Sequence, residues 1–167
     1  MNTILMDTRE KVKQNSVLVD DLTAMGIKIV RSKLYVGDYT RIDNMTVCVD
    51  TKFGLAEVYS NVIQDHERFK RELLAAKDAG IRIVVLVEES GIHTVQDVAK
   101  WQNTRIKRYR RMTQAMQQAQ KPPVPSERLS RIMQTMADKY GVEWQFCDKA
   151  DTARTICEIL GIEVNEP

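Results

Sequence analysis

Gly80-Ile81-Arg82-Ile83-Val84-Val85-Leu86-Val87 ends in five consecutive apolar residues, three of them valine. A strand with one wet face alternates apolar and polar residues, so an unbroken run reads as a strand covered on both faces. Upstream, Asp65 is a candidate N-cap for a helix that turns Phe69, Leu73 and Ala76 inward and ends at Gly80. The same helix–glycine–strand order recurs on both sides. Toward the N-terminus, Ser16 precedes Leu18, Leu22 and Met25 at helical spacing, then Gly26 and Ile27–Val30. Toward the C-terminus, Ser126 precedes Leu129, Ile132, Met133, Met136 and Tyr140, then Gly141 and Val142–Cys147. A further helix over Thr152–Leu160 buries Ala153, Ile156, Cys157 and Leu160 before Gly161. Between these units, Leu34–Tyr39 and Thr46–Lys52 read as a hairpin turning at Asp43-Asn44. The pattern predicts an α/β fold with a mixed central sheet and helices on both faces.

The chain has 167 residues, 43% of them hydrophobic, which predicts a single domain over residues 1–167. No apolar run approaches the roughly 18–20 residues of a membrane span, so no membrane partner is expected. Asp7, Arg9 and Glu10 interrupt the N-terminal region where a signal peptide would carry its apolar core. Cys48, Cys147 and Cys157 are too scattered for a disulfide framework and read as buried fillers. Together these predict a cytoplasmic protein of a reducing compartment.

The formal net charge of +2 hides a split. Lys100 to Arg131 holds nine cations against Glu127 alone, a net +8 that leaves −6 on the remainder. Within it, Thr104–Ala119 reads as one helix with Ile106, Tyr109, Thr113 and Met116 on a side, and Pro122-Pro123-Val124-Pro125 as a stiff connector. A charge run is ordinarily a solvated face. Here the cations have almost no neutralising i, i+4 partners and repel one another unless an anion is near, which points to phosphate contact through Arg105, Lys107, Arg108, Arg110 and Arg111.

Val47-Cys48-Val49-Asp50-Thr51-Lys52 places Asp50 and Lys52 on one strand face, about 6–7 Å apart at Cα, with Val47, Val49 and Thr51 on the other. Gly37-Asp38-Tyr39 closes the opposite arm of the hairpin. Two neighbouring carboxylates repel unless a cation lies between them, and oxygen ligands suit magnesium or manganese. An ammonium beside the pair can orient an attacking water and offset charge on a phosphate. The set fits metal-assisted phosphodiester hydrolysis. A bare Asp-x-Lys is more commonly a weak surface ion pair; the company of Asp38, of Asp7 after Ile4-Leu5-Met6, and of Glu57 shifts the balance. Register leaves two outcomes open. If Asp43-Asn44 alone form the loop, Asp38 opposes Val49 and points away from Asp50; a longer loop including Met45, or a bulge, sets Asp38 against Asp50.

These motifs, in this order, resemble the nuclease domain of the XPF/Hef-type structure-specific endonucleases, a branch of the PD-(D/E)xK nucleases. The family's opening V-D-x-R-E run is matched by Met6-Asp7-Thr8-Arg9-Glu10, its G-D by Gly37-Asp38, and its E-R-K by Asp50-Thr51-Lys52. The helix His66–Leu73, the strand Ile83–Glu88 and the ending Phe146-Cys147-Asp148-Lys149 are similar in placement. The resemblance implies a restriction-endonuclease-like fold and a magnesium- or manganese-dependent DNA endonuclease favouring branched or non-B structures. Asp38 and Asp50 would then ligate the metal, and Lys52 would position and activate the attacking water. Asp7 would support the metal directly or through water, Arg9 would hold phosphate or organise the neighbouring carboxylates, and Glu10 would fix Arg9. Two departures stand out: the central Arg is Thr51, and the trailing Asp is Ala56, with Glu57 one residue late, rotated by about 100° on a helix, as the substitute metal ligand. The resemblance also implies a homodimer through the C-terminal helices and leaves a second reading, an inactive nuclease-like scaffold that binds DNA or a partner. Helix-hairpin-helix modules common in the family find no room here, so a DNA grip is expected in this domain or in a partner, with the Lys100–Arg131 segment the candidate. No Gly-rich phosphate loop is present, so nucleotide triphosphates are not expected partners. His66 and His93 fit no metal-ligand spacing.

Overall fold

The computed structural model describes residues 2–11 and 13–164. Six strands form one mixed sheet: β1 (Thr3–Asp7), β2 (Lys28–Ser32), β3 (Tyr39–Arg41), β4 (Asn44–Lys52), β5 (Arg82–Glu88) and β6 (Glu143–Cys147), in the order β2-β1-β3-β4-β5-β6. β3 alone runs against its neighbours; the β1–β2, β4–β5 and β5–β6 pairs are parallel. The helices are α1 (Ser16–Ala24), α2 (Leu55–Tyr59), α3 (His66–Asp78), α4 (Thr104–Arg110), α5 (Gln114–Gln118), α6 (Ser126–Tyr140) and α7 (Thr152–Ile159). A π-turn at Ser60–Gln64 joins α2 to α3.

The apolar run does what its composition requires. Ile83 to Val87 are at most 2% exposed, with alternate side chains facing two cores. Leu5, Cys48, Val85 and Val87 pack with Val58, Phe69, Leu73, Met133 and Met136 of α2, α3 and α6. Ile4, Met6, Tyr39, Val49 and Leu86 pack on the other face with Leu22 and Ile156 of α1 and α7. The expected mixed sheet with helices on both faces is therefore the observed architecture. Among the described residues no helix is long and apolar enough to cross a membrane.

Four expectations need correction. The strand expected over Leu34–Tyr39 is regular only from Tyr39, because Gly37 takes a left-handed φ of +69° that no strand accommodates. Ser16, Asp65 and Ser126 make no side-chain cap: Ser126 Oγ donates to the Trp101 carbonyl, and Pro125 stands at the N-cap of α6. The Thr104–Ala119 helix is two, interrupted at Arg111–Thr113. The Thr113 hydroxyl accepts from the Met116 N–H and starts α5, while Lys107, Arg108 and Arg110 crowd the last turn of α4, where the helix dipole favours cations. Finally, α6 and α7 spend their apolar faces on the protein's own core (Leu129, Met133 and Met136; Ala153, Ile156 and Cys157), so a homodimer through the C-terminal helices finds no support.

Candidate active site

The hairpin register decides the site. Tyr39 pairs with Val49 and Thr40 with Cys48, but Arg41 pairs with Asn44, so the turn is Ile42-Asp43 and not the expected Asp43-Asn44, and Met45, Thr46 and Val47 form a bulge in β4. Thr40 Oγ1 donates to the Val47 carbonyl, and Asn44 Oδ1 accepts from the Thr46 N–H and hydroxyl, which holds the bulge open. Continuing this register sets Asp38 opposite Asp50, the second of the two outcomes the sequence left open. Across the next pair, Met6 opposes Tyr39, and the Asp7 N–H donates to the Asp38 carbonyl at 2.8 Å. Asp7, Asp38 and Asp50 thus stand abreast at the carboxyl ends of β1 and β4, the usual place for a ligand site in an open α/β sheet.

Each carboxylate has a distinct setting. Lys52 Nζ lies 2.8 Å from Asp50 Oδ2, and both side chains are nearly enclosed. Apart from that ammonium, Asp50 Oδ2 has no donor among the described residues. Burial works against the Lys52 charge, but attraction to Asp50 and then Asp38 outweighs it and raises the group to about 12. Lys52 is therefore a fixed cation at neutral pH. Asp38 Oδ2 accepts from the Thr51 N–H at 2.7 Å and the Thr51 hydroxyl at 3.0 Å. Burial first, then the Asp50 and Glu10 charges, push the Asp38 carboxyl well above the usual range, against the Thr51 hydrogen bond and Lys52. Asp7 is pushed up by burial, but hydrogen bonds from Arg9 and Leu34 outweigh that and hold it below the usual range. Its Oδ1 accepts from the Arg9 N–H and Nε, and its Oδ2 from Arg9 Nη2 and the Leu34 N–H. All four acceptor positions of the Asp7 carboxylate are filled.

The remaining expected residues divide. Arg9 is clamped by Asp7 yet has a side chain 63% exposed toward the cleft. Glu10 does not take the expected place beside Arg9; its Oε2 accepts instead from Asn15 Nδ2 at 2.9 Å. Glu57 lines the cleft, but its Oε2 accepts from the Phe53 N–H and closes the start of α2. Arg105 is tied into the protein: its guanidinium donates to the Ala56 carbonyl and Ser60 Oγ and stacks on the Tyr59 ring at 4.5 Å. Lys107, Arg108, Arg110 and Arg111 lie on the basic segment beyond it, with Lys107, Arg108, Arg110 and Arg111 open to solvent. The three cysteines are fillers, their thiols pushed up by burial.

The cleft holds about 620 Å³ and takes in Asp7, Arg9, Asp38, Asp50, Lys52 and one face of α3. Arg68, Arg71, Glu72 and Ala75 supply that face, and Glu72 Oε1 accepts from the Gly37 N–H at 3.4 Å. Sequence reasoning passed over Arg71 and Glu72. Their signal was the polar stripe at i, i+3, i+4 beside the apolar stripe of Phe69, Leu73 and Ala76.

Among the described residues no group of three or more His, Cys, Asp or Glu side chains gathers closely enough to hold a metal. The donor set nonetheless fits a magnesium-class ion. Such an ion commonly takes one or two protein carboxylates and fills its other positions with water and phosphate oxygen. Asp38 and Asp50 are two such carboxylates, facing each other with mutual repulsion that a cation would relieve.

The ERCC4 domain family model matches residues 6–159. Among curated proteins none matches the chain in sequence. Solved structures similar in fold include two of the same protein. XPF from Aeropyrum pernix superposes with a TM-score of 0.62 at 13% identity, covering 95% of this chain and 63% of that one. The same protein in complex with DNA gives 0.61 at 14% identity, covering 96% and 64%. The chain thus spans somewhat under two thirds of the length of those structures. With nearly every residue from β1 to α7 inside the family match, the chain belongs to the ERCC4-domain family and carries its XPF-type nuclease fold.

Proposed function

We propose that this chain is a divalent-metal-dependent endonuclease that hydrolyses phosphodiester bonds in DNA and prefers branched or otherwise non-B structures. The observation that carries the reading is the Asp38–Asp50–Lys52 set: two opposed carboxylates and a buried ammonium 2.8 Å from one of them, at the floor of an open cleft. A purely structural ion pair would not need a second carboxylate held against it at the cost of its own ionisation. DNA as the substrate draws support from the family and from the DNA complex formed by the Aeropyrum pernix protein.

Asp38 and Asp50 would hold magnesium or manganese. The bound ion would offset phosphate charge and favour ionisation of a nearby water. Lys52 keeps its proton and donates from Nζ, orienting the attacking water or a phosphate oxygen. Asp7 saturates its own oxygens, so its part is to fix Arg9 and the Leu34 backbone. Arg9 then offers an exposed, pre-oriented guanidinium to a flanking phosphate. Water, giving its proton to bulk solvent, would attack phosphorus in line while the bond to the leaving oxygen breaks and that oxygen takes a proton from solvent, without a covalent intermediate. Lys107, Arg108, Arg110 and Arg111 hold more distant phosphates without regard to sequence.

The test is cleavage of labelled duplex, flap, fork and single-stranded DNA with magnesium or manganese, beside Asp50→Ala and Lys52→Ala proteins whose folding is checked by circular dichroism. Cutting by the parent alone is expected. Cutting that survives both substitutions would refute the site. Binding without cutting would make the chain a scaffold.

A further inference from the structure

Tyr35 stands three residues before Asp38 and is 69% exposed, while its neighbours Leu34 and Val36 are 7% and 3% exposed. Its backbone is fixed from both sides. The Leu34 N–H donates to Asp7 Oδ2 at 2.8 Å, and Gly37 sits against Cys48 in a left-handed conformation. The ring lines the candidate catalytic cleft and also a second, smaller cavity of about 100 Å³ that includes Lys33, Leu34 and Met45. It is therefore a rigidly mounted aromatic wall between the reacting groups and an apolar recess. Held so, it adds nothing to the core, and an exposed ring on a fixed backbone loses little entropy when it binds a flat partner.

The geometry points to Tyr35 as a stacking platform for an unpaired nucleobase next to the scissile phosphate. The inference deepens the nuclease reading above and rests on nucleic acid entering that cleft. Bases inside duplex DNA are already stacked on both faces and cannot take the ring. A base at a fork, flap or frayed end has a free face, and the recess beside Tyr35 offers apolar Leu34 and Met45 with the exposed Lys33 near its rim. Structure preference would then reside in one side chain of the catalytic domain.

The probe is a fork with 5-iododeoxyuridine at the first unpaired position, compared with a fully paired duplex of the same sequence. Affinity is read by fluorescence anisotropy with the cleavage-blocked Asp50→Asn protein. Removing one base–aromatic stack corresponds to about five- to 140-fold in affinity. Tyr35→Ala should lose that much on the fork and under twofold on the duplex, Tyr35→Phe should bind like the parent, and Tyr35→Leu should behave like Ala. Irradiation should crosslink the iodinated base to Tyr35. Fork binding unchanged by Tyr35→Ala, Leu serving as well as Phe, or a crosslink elsewhere would overturn the inference. The two readings fail separately. Tyr35-dependent fork binding by a chain that never cuts removes the nuclease and keeps the platform; cutting of forks undiminished in Tyr35→Ala keeps the nuclease and removes the platform. Absence of DNA binding overturns both.

Discussion

Gly37→Ala is the smallest change that should dismantle the site. A Cβ at this position would lie 2.4 Å from Cys48 Sγ and 3.1 Å from the Val49 carbonyl oxygen. The sulfur cannot step aside easily, because it is buried and contacts the Val36 carbonyl at 2.8 Å and that of Tyr39 at 3.3 Å. The φ of +69° adds a second penalty. A left-handed alanine costs about 1–2 kcal/mol, and forcing an extra methyl into a packed core costs about 1–3 kcal/mol. Together they predict a loss of about 2–5 kcal/mol, a large part of the ~5–15 kcal/mol that holds a domain folded. Denaturant unfolding of Gly37→Ala, Cys48→Ala and the double variant separates the two contributions. Removing the sulfur should return about 1–3 kcal/mol of the loss as coupling, while the backbone penalty and the tight contact to Val49 remain. A Gly37→Ala protein within about 0.5 kcal/mol of the parent, or a cycle with no coupling, would refute the claim that close packing on Cys48 fixes the Asp38 arm.

Lys52→Ala leaves the Asp50 carboxylate buried, unpaired and opposed by Asp38, so it should cost about 3–5 kcal/mol in addition to abolishing cleavage; Asp50→Asn combined with Lys52→Met should recover most of that stability while staying inactive, and calorimetry of the two proteins decides. Asp38 has a raised carboxyl in the metal-free fold, so its stabilising share is complete below the unfolded carboxyl value near 3.8 and is lost as pH rises through the higher folded value. Magnesium should therefore raise the melting temperature more at pH 8 than at pH 5, and Asp38→Asn should erase the difference; equal shifts at both pH values would reject the two-carboxylate site. Arg108→Ala with Arg111→Ala should weaken DNA binding and flatten its log–log salt slope by about 0.9 for each phosphate the variant no longer neutralises, read from titrations across a salt series. Arg105→Ala should mainly destabilise the fold, because that guanidinium already serves Ala56, Ser60 and Tyr59; a drop in salt slope without a drop in stability would reverse that assignment.

The arrangement of layers was legible because each unit advertises itself locally. Helix-period stripes such as Phe69, Leu73 and Ala76, followed by Gly80 and an unbroken valine-rich run, specify a helix packed on a doubly covered strand without reference to anything distant. The basic segment was less legible for a matching reason. Its cations are identical in sequence, yet Arg105 sits one residue inside α4, where the Asn103 side chain accepts from its backbone N–H and its guanidinium reaches Tyr59. Arg108, three residues on, remains exposed. Nothing in a run of like charges distinguishes the member that closes a tertiary contact from those left to solvent. The break at Thr113 was readable in principle, since a threonine within a polar stretch competes with the helix for backbone donors.

The site itself shows where local reasoning stops. Asp50 and Lys52 follow from the two-residue period of a strand and could be placed together from β4 alone. Asp7, Asp38 and Asp50 come abreast only through two inter-strand registers, and the decisive one depends on three extra residues in β4. Without the bulge at Met45–Val47, the two-residue turn at Ile42-Asp43 would set Asp38 against Val47 and direct its carboxylate to the opposite face, because an odd slip in register inverts every side chain. The bulge in turn is held by Thr40 and Asn44, two residues with no chemistry of their own. The proposed catalysis therefore rests as much on the hydroxyl of Thr40, which pins the register, as on the carboxylates it aligns. A reading confined to metal ligands and cations could name the reactive groups, but the means of bringing them together lay in the hairpin.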